Sequence, residues 1–119
     1  MSKSEIRSLK DKVQGAAELS VEQFDQAAVL VRRVFAGMPE PKGGRDLVGQ
    51  LLHAIDVCLP GWTIQLTGKA SEPDGHWRCS LRETRGSDEI EVIGIGTGRV
   101  VEVALLESLL HVAELKATV

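Results

Sequence analysis

A glycine-rich run near the carboxyl end is the segment of this sequence best suited to hold a negatively charged ligand. Its residues are Gly94-Ile95-Gly96-Thr97-Gly98-Arg99, between an alternating apolar run and a long apolar segment. This order predicts a strand, a glycine-rich turn and a helix, whose first N–H groups attract anions. The predicted residues of an anion or nucleic-acid site are Gly96, Thr97, Gly98, Arg99, Arg78 and Arg82.

The same glycine run also has a purely structural interpretation. A dinucleotide-binding fingerprint would need a third glycine where Arg99 stands, and the sequence has no Gly-Lys-Ser/Thr phosphate loop. Glycine accepts positive φ angles at little cost, so a strand-to-helix turn that needs such angles also accounts for the run. Both interpretations stay open from the sequence alone.

Other side chains capable of chemistry are scattered. The cysteines Cys58 and Cys79 and the histidines do not follow the spacing of zinc ligands. Cys79 falls on the predicted core side of a strand, where a thiol behaves as a small hydrophobic group with a raised pKa. Glu89 and Glu91 share a strand face, which suits either acid–base chemistry or a solvated edge. We expect free thiols, no catalytic residue, no metal and no cofactor.

Composition restricts the class of protein. The chain has 119 residues, 43% of them hydrophobic, and 17 acidic against 14 basic side chains give a net charge of −3. A chain of this length forms one ordinary domain, and it lacks the basic excess of a nonspecific nucleic-acid binder. It has no apolar stretch of about 20 residues and begins without an export signal, so we expect a cytoplasmic protein.

Hydrophobic spacing predicts four helices and three strands. Apolar residues at intervals of three and four predict a short first helix and an amphipathic helix over about 21–36. Ser20 and Gln23 match a capping box at the start of the second helix. Further helices are predicted over 46–59, where Pro60-Gly61 ends the pattern, and over 99–116. Three intervening runs alternate apolar and polar residues, which is typical of half-covered antiparallel strands.

The predicted fold class is α+β with the element order αα-αβββα. Residues 1–37 form an N-terminal helical hairpin, 38–45 a Pro/Gly linker, and 46–119 an αβββα sandwich domain. In this domain two helices cover one face of a three-stranded antiparallel sheet. The residues expected on the covered face are Trp62, Ile64, Leu66, Trp77, Cys79, Leu81, Ile90 and Val92. Those expected on the other face are Thr63, Gln65, Thr67, His76, Arg78, Ser80, Arg82, Glu89 and Glu91.

Residues 46–116 resemble two known groups of proteins. The helix–three strands–helix order is similar to the double-stranded-RNA-binding fold, and this resemblance implies a phosphate contact at Arg99. In that family the last helix opens with clustered lysines, whereas the matching stretch here, 98–103, has one basic and one acidic residue. The motifs Pro60-Gly61-Trp62, His76-Trp77-Arg78 and Val103-Ala104-Leu105-Leu106 resemble small phage-encoded proteins of the alpha/beta-sandwich type. This second resemblance implies an accessory protein of a mobile element, with no assigned chemistry.

These observations favour a function in protein binding. The apolar stripe of the second helix needs cover from its own core, from a second copy in a homodimer, or from a partner. Its residues are Val21, Phe24, Ala28, Val31 and Phe35. The sequence therefore predicts a small accessory protein, not an enzyme, that regulates or inhibits a host complex. No membrane partner is expected. A nucleic-acid-binding module of degenerate double-stranded-RNA-binding type is the alternative.

Overall fold

A computed structural model describes residues 2–14, 16, 18–43, 46–69, 77–83 and 93–117. Its helices are α1 (Ser2–Val13), α2 (Val21–Val34), α3 (Leu47–Cys58) and α4 (Val101–Lys116), and its strands are β1 (Thr63–Thr67), β2 (Trp77–Arg82) and β3 (Ile93–Gly98). The strands form one antiparallel sheet in the order β1-β2-β3. The predicted α+β class and the order αα-αβββα are therefore confirmed.

The starts and ends of the helices follow the sequence signals. The Ser20 hydroxyl accepts from the Gln23 N–H at 3.1 Å, and the Gln23 side chain accepts in return from the Ser20 N–H. Asp46 caps α3 by accepting from the Gly49 N–H at 2.9 Å. Gly61 follows α3 with a φ of 81°, an angle that side chains disfavour. Local hydrogen bonds thus fix the boundaries that the sequence predicted.

Helix α4 is the centre of the hydrophobic core. Eleven of its residues are buried, and its Cα atoms come within 8 Å of α1, α2, α3, β2 and β3. A helix that is apolar on nearly every side has to be enclosed by its neighbours. Every other described helix and two of the strands therefore pack against α4.

The N-terminal helices belong to this same core. Ile6, Leu9 and Val13 of α1 and Phe24 and Val31 of α2 are buried in one cluster with the leucines of α4. The segment predicted as a linker is also attached: Met38 is buried, and its carbonyl accepts from Arg32 Nε at 3.1 Å. The two predicted units, 1–37 and 46–119, thus share a single hydrophobic core.

One expectation about the covered sheet face is wrong. Ile64 and Leu66 of β1 lie on the same face as Cys79 and Leu81, to which they are paired, yet both are 36% exposed. Among the described helices, α4 alone comes within 8 Å of the strands, and it does so at β2 and β3. Helix α3 packs beside α4. The face of β1 is left open as a result. Trp62 and Trp77 are half-buried against the core, and Ile90 and Val92 lie outside the described residues.

An ion cluster ties α1 to α4. The Glu114 carboxylate accepts from Arg7 Nε at 2.7 Å and from Lys10 Nζ at 2.8 Å, and only 9% of its side chain is exposed. Burial alone would raise the pKa of Glu114, but these two cations outweigh burial and lower the pKa below its usual value. The ionised form of Glu114 is therefore favoured in the folded chain.

We expect this cluster to make stability depend on acid pH. Because folding lowers the pKa of Glu114, its contribution is complete above the unfolded pKa and disappears as the pH falls through the folded pKa. Glu114→Gln should cost about 1 kcal/mol at neutral pH and should flatten the fall in stability below about pH 5. Urea unfolding at several pH values measures this, with Glu18→Gln, at an exposed site, as control. Equal pH profiles for Glu114→Gln and the parent would contradict it.

Candidate functional site

The outward side of the sheet is a surface that none of the described helices covers. Alternation along the strands and the pairing register place nine described side chains there. They are Thr63, Gln65, Thr67, Arg78, Ser80, Arg82, Ile93, Ile95 and Thr97, and we call this set the open sheet face. Seven of them line a shallow concavity of about 270 Å³: Thr63, Gln65, Arg78, Ser80, Arg82, Ile93 and Ile95.

Two isoleucines give the open sheet face an apolar patch along its β3 side. Ile93 and Ile95 of β3 are 37% and 36% exposed, and their partners across the sheet are Arg82 and Ser80. The sequence expectation of a polar outward face missed them, because it did not assign Ile93 and Ile95 to a face. Their separation by a single glycine was the signal that could have placed them on one side of a strand.

The charge of the open sheet face is opposite to that of the chain. Its nine described residues include two arginines and no acid, whereas the whole chain carries −3. Glu89 and Glu91, which we predicted for this face, and His76 lie outside the described residues. The described part of the face therefore combines aliphatic, hydroxyl and guanidinium groups, and of these arginine is the residue type enriched at protein interfaces.

The glycine run does not form the predicted turn. Gly94, Gly96 and Gly98 belong to β3, and none of them has a positive φ angle. All three face α4 instead. A Cβ atom added to Gly96 would overlap the Ala104 carbonyl and the Ser108 backbone nitrogen, and one added to Gly94 would overlap the Ser108 carbonyl. These glycines therefore let a helix and a strand approach each other more closely than side chains would allow.

The six residues predicted for an anion site are consequently separated. Thr97, Arg78 and Arg82 share the open sheet face, and Arg78 is paired with Thr97 across the strands. Gly96 and Gly98 point to the opposite side, against α4. Arg99 is exposed in the short connection before α4. The structure thus brings three of the six together.

Two side chains of α4 occupy the outer edge of β3. His111 Nδ1 accepts the Ile95 N–H at 2.9 Å, and the Glu107 carboxylate lies beside the Thr97 N–H. Burial is the main reason that the pKa of Glu107 is raised, although the Thr97 N–H and Lys10 oppose it. An acid of the chain itself therefore lies beside an N–H of the glycine run, which argues against an anion at that point.

The cysteines and histidines do not converge on a reactive centre. The Ser108 hydroxyl lies 3.2 Å from Cys79 Sγ, but both side chains are buried, and burial raises the pKa of the thiol. Cys58 is also a free thiol, beside Met38. His53 is exposed on α3. Among the residues that the structure describes, no group of His, Cys, Asp or Glu could hold a metal ion.

Most of the predicted interaction stripe on α2 is core. Phe24, Ala28 and Val31 are at most 2% exposed, because α2 turns them towards α1 and α4. These three residues cannot form a surface for a partner in this structure. Val21 is exposed and Phe35 is half-buried against the core. The chain's own core thus supplies the cover that the stripe requires.

Comparison with known proteins gives no relative for this chain: no protein-family model, no curated protein and no solved structure matches it. Within the described ranges, no helix has both the length and the apolar character needed to cross a membrane.

Proposed function

We propose that this chain is a small binding protein that recognises another protein through its open sheet face. The observation that carries this proposal is the exposure of Ile93 and Ile95 beside Arg82 and Arg78, on a face that no described helix covers. Exposed aliphatic groups flanked by arginines supply the apolar contact and the directed hydrogen bonds that stable interfaces use. A role as an accessory protein of phage or mobile-element type, regulating or inhibiting a host complex, is consistent with this surface.

The residue composition of the open sheet face favours a protein partner over single-stranded nucleic acid. Proteins that bind single strands stack bases on exposed aromatic side chains. None of the nine described residues of the open sheet face is aromatic, since Trp62 and Trp77 follow the opposite alternation and are half-buried. A partner with an apolar segment next to an acidic side chain would contact the isoleucines and Arg78 together.

Substitution of Ile95 tests the proposal. Ile95→Asp removes apolar area from the β3 side of the face and adds a negative charge, so we expect at least about a tenfold loss of partner capture. The measurement is a tagged pull-down from nuclease-treated bacterial lysate, quantified by mass spectrometry. Val29→Asp is the matched control, because Val29 is 51% exposed on α2, away from the sheet. Equal capture by Ile95→Asp and the parent chain would contradict the proposal.

Nucleic-acid binding is the second candidate, and the described charge of the face supports it. Arg78 and Arg82 lie on the open sheet face, which has no described acid. Arg99 is exposed two residues after Thr97 of the same face. Contacts of this kind would make binding fall steeply with salt. In a parallel pull-down from untreated lysate, partners that are absent from the nuclease-treated sample would support this candidate. Partners that survive nuclease support the protein-binding proposal.

A further inference from the structure

The two edges of the sheet differ in a way that selects one of them for strand pairing. At the outer edge of β3, the Ile95 N–H donates to His111 Nδ1 and the Glu107 carboxylate lies beside the Thr97 N–H, so α4 already covers this edge. Strand β1 is the opposite edge, and all five of its residues are exposed. An exposed edge strand is a template for another strand unless charge, proline or a bulge protects it. Strand β1, Thr-Ile-Gln-Leu-Thr, contains neither charge nor proline.

The register shows which backbone groups β1 presents. The Ile95 N–H points away from β2, so Ser80 and Ile95 form a non-hydrogen-bonded pair. Successive residues of a strand alternate direction, so Ser80 directs its backbone groups to Gln65 of β1. The N–H and C=O groups of Ile64 and Leu66 then face the free edge. Their side chains are 36% exposed, on the face that α4 covers at β2 and β3 but does not reach at β1.

We propose that β1 pairs with β1 of a second copy, antiparallel about a two-fold axis through Gln65. The strand is nearly palindromic about this residue, so the pairing places Thr63 opposite Thr67, Ile64 opposite Leu66 and Gln65 opposite itself. Ile64 and Leu66 supply the outward hydrogen bonds, and the two aliphatic side chains of each copy meet on one face. In this register Lys69 lies opposite Gly61, so no like charges face each other.

The result is a continuous six-stranded sheet with the α4 helices at its two ends. A pairing of five residues per copy buries less than a standard interface of about 800 Å² per partner, so we expect a reversible dimer. This inference is independent of the proposed function. Ile95 lies on β3, two strands from the axis, and Ile95→Asp should leave dimerisation unchanged.

Single cysteines test the register directly. In a Cys58→Ser background, Gln65→Cys places two thiols across the axis at a non-hydrogen-bonded pair, where Cβ atoms are about 5 Å apart. Thr63→Cys is the matched control on the same strand and face, because its two copies would be separated by about 13 Å. Under mild oxidation we expect about tenfold more covalent dimer from Gln65→Cys on non-reducing electrophoresis.

Sedimentation equilibrium of the parent chain, at about 10 to 500 µM, gives the second measurement. We expect a reversible dimer whose dissociation constant rises at least about tenfold in Gln65→Lys, since like charges directly opposite destabilise a strand pair. A parent chain that stays monomeric throughout overturns the proposal. Equal cross-linking of Gln65→Cys and Thr63→Cys also overturns it, because the two-fold register requires them to differ.

Discussion

Gly96→Ala should lower the free energy of unfolding by about 3 kcal/mol, at the upper end of the usual cost of overpacking. The added methyl group would meet backbone atoms of Ala104 and Ser108 in α4, and backbone atoms of a packed helix cannot rotate away. The helix has to move as a unit, which disturbs its contacts with every neighbouring element. Urea denaturation followed by circular dichroism measures the change.

A second glycine provides the control for this prediction. An added methyl group at Gly37 would lie 3.5 Å from Val57, an ordinary van der Waals contact, and Gly37 has no positive φ angle. Gly37→Ala should therefore change stability by less than about 0.5 kcal/mol. If Gly96→Ala were as mild as Gly37→Ala, the close approach of α4 to β3 would not be a feature of the protein in solution.

Phe24→Ala should destabilise the whole chain by roughly 3–5 kcal/mol, as expected when a fully buried phenylalanine is truncated. Phe24 is 2% exposed and lies in the cluster that joins α2 to the leucines of α4. Because hairpin and sheet share this core, helix and tryptophan signals should shift together. Far-ultraviolet circular dichroism and the fluorescence of Trp62 and Trp77 follow the two parts in one urea titration.

Val21→Ala is the control on the same helix. Val21 is 43% exposed, so its truncation should cost less than about 0.5 kcal/mol. An early helix transition in Phe24→Ala, with the tryptophan transition unmoved, would mean that residues 1–37 unfold as a separate unit. A single coincident transition supports one cooperative core.

Local signals were sufficient for most of the fold. The Ser20–Gln23 capping box and Asp46 start their helices through hydrogen bonds within three residues, so the sequence itself records them. The change from a helical to a two-residue period at Pro60-Gly61 located the sheet. The wide apolar sector of 99–116 predicted that the last helix is buried on more than one side, as α4 is.

The errors concern relations between distant segments. Alternation in β1 predicts an apolar face but not whether a helix reaches it, and α4 lies over β2 and β3 instead. A run of glycines before a helix suggests a turn with positive φ angles. Here the glycines instead allow α4 to pack close to β3, a contact that depends on where α4 lies. The bond from Ile95 to His111 joins residues 16 apart, and no local pattern indicates it.

The central position of α4 also determines when the chain can fold during synthesis. Helices α1, α2 and α3 and strands β2 and β3 all pack against a segment that follows them in sequence. Until residues 101–116 have left the ribosome, the hairpin and the inner sheet face lack the helix that they share as a packing partner. Translation at about 5–20 residues per second therefore leaves these surfaces exposed for several seconds. We therefore expect the chain to fold late and cooperatively, and chaperones can bind the exposed apolar surfaces before it folds.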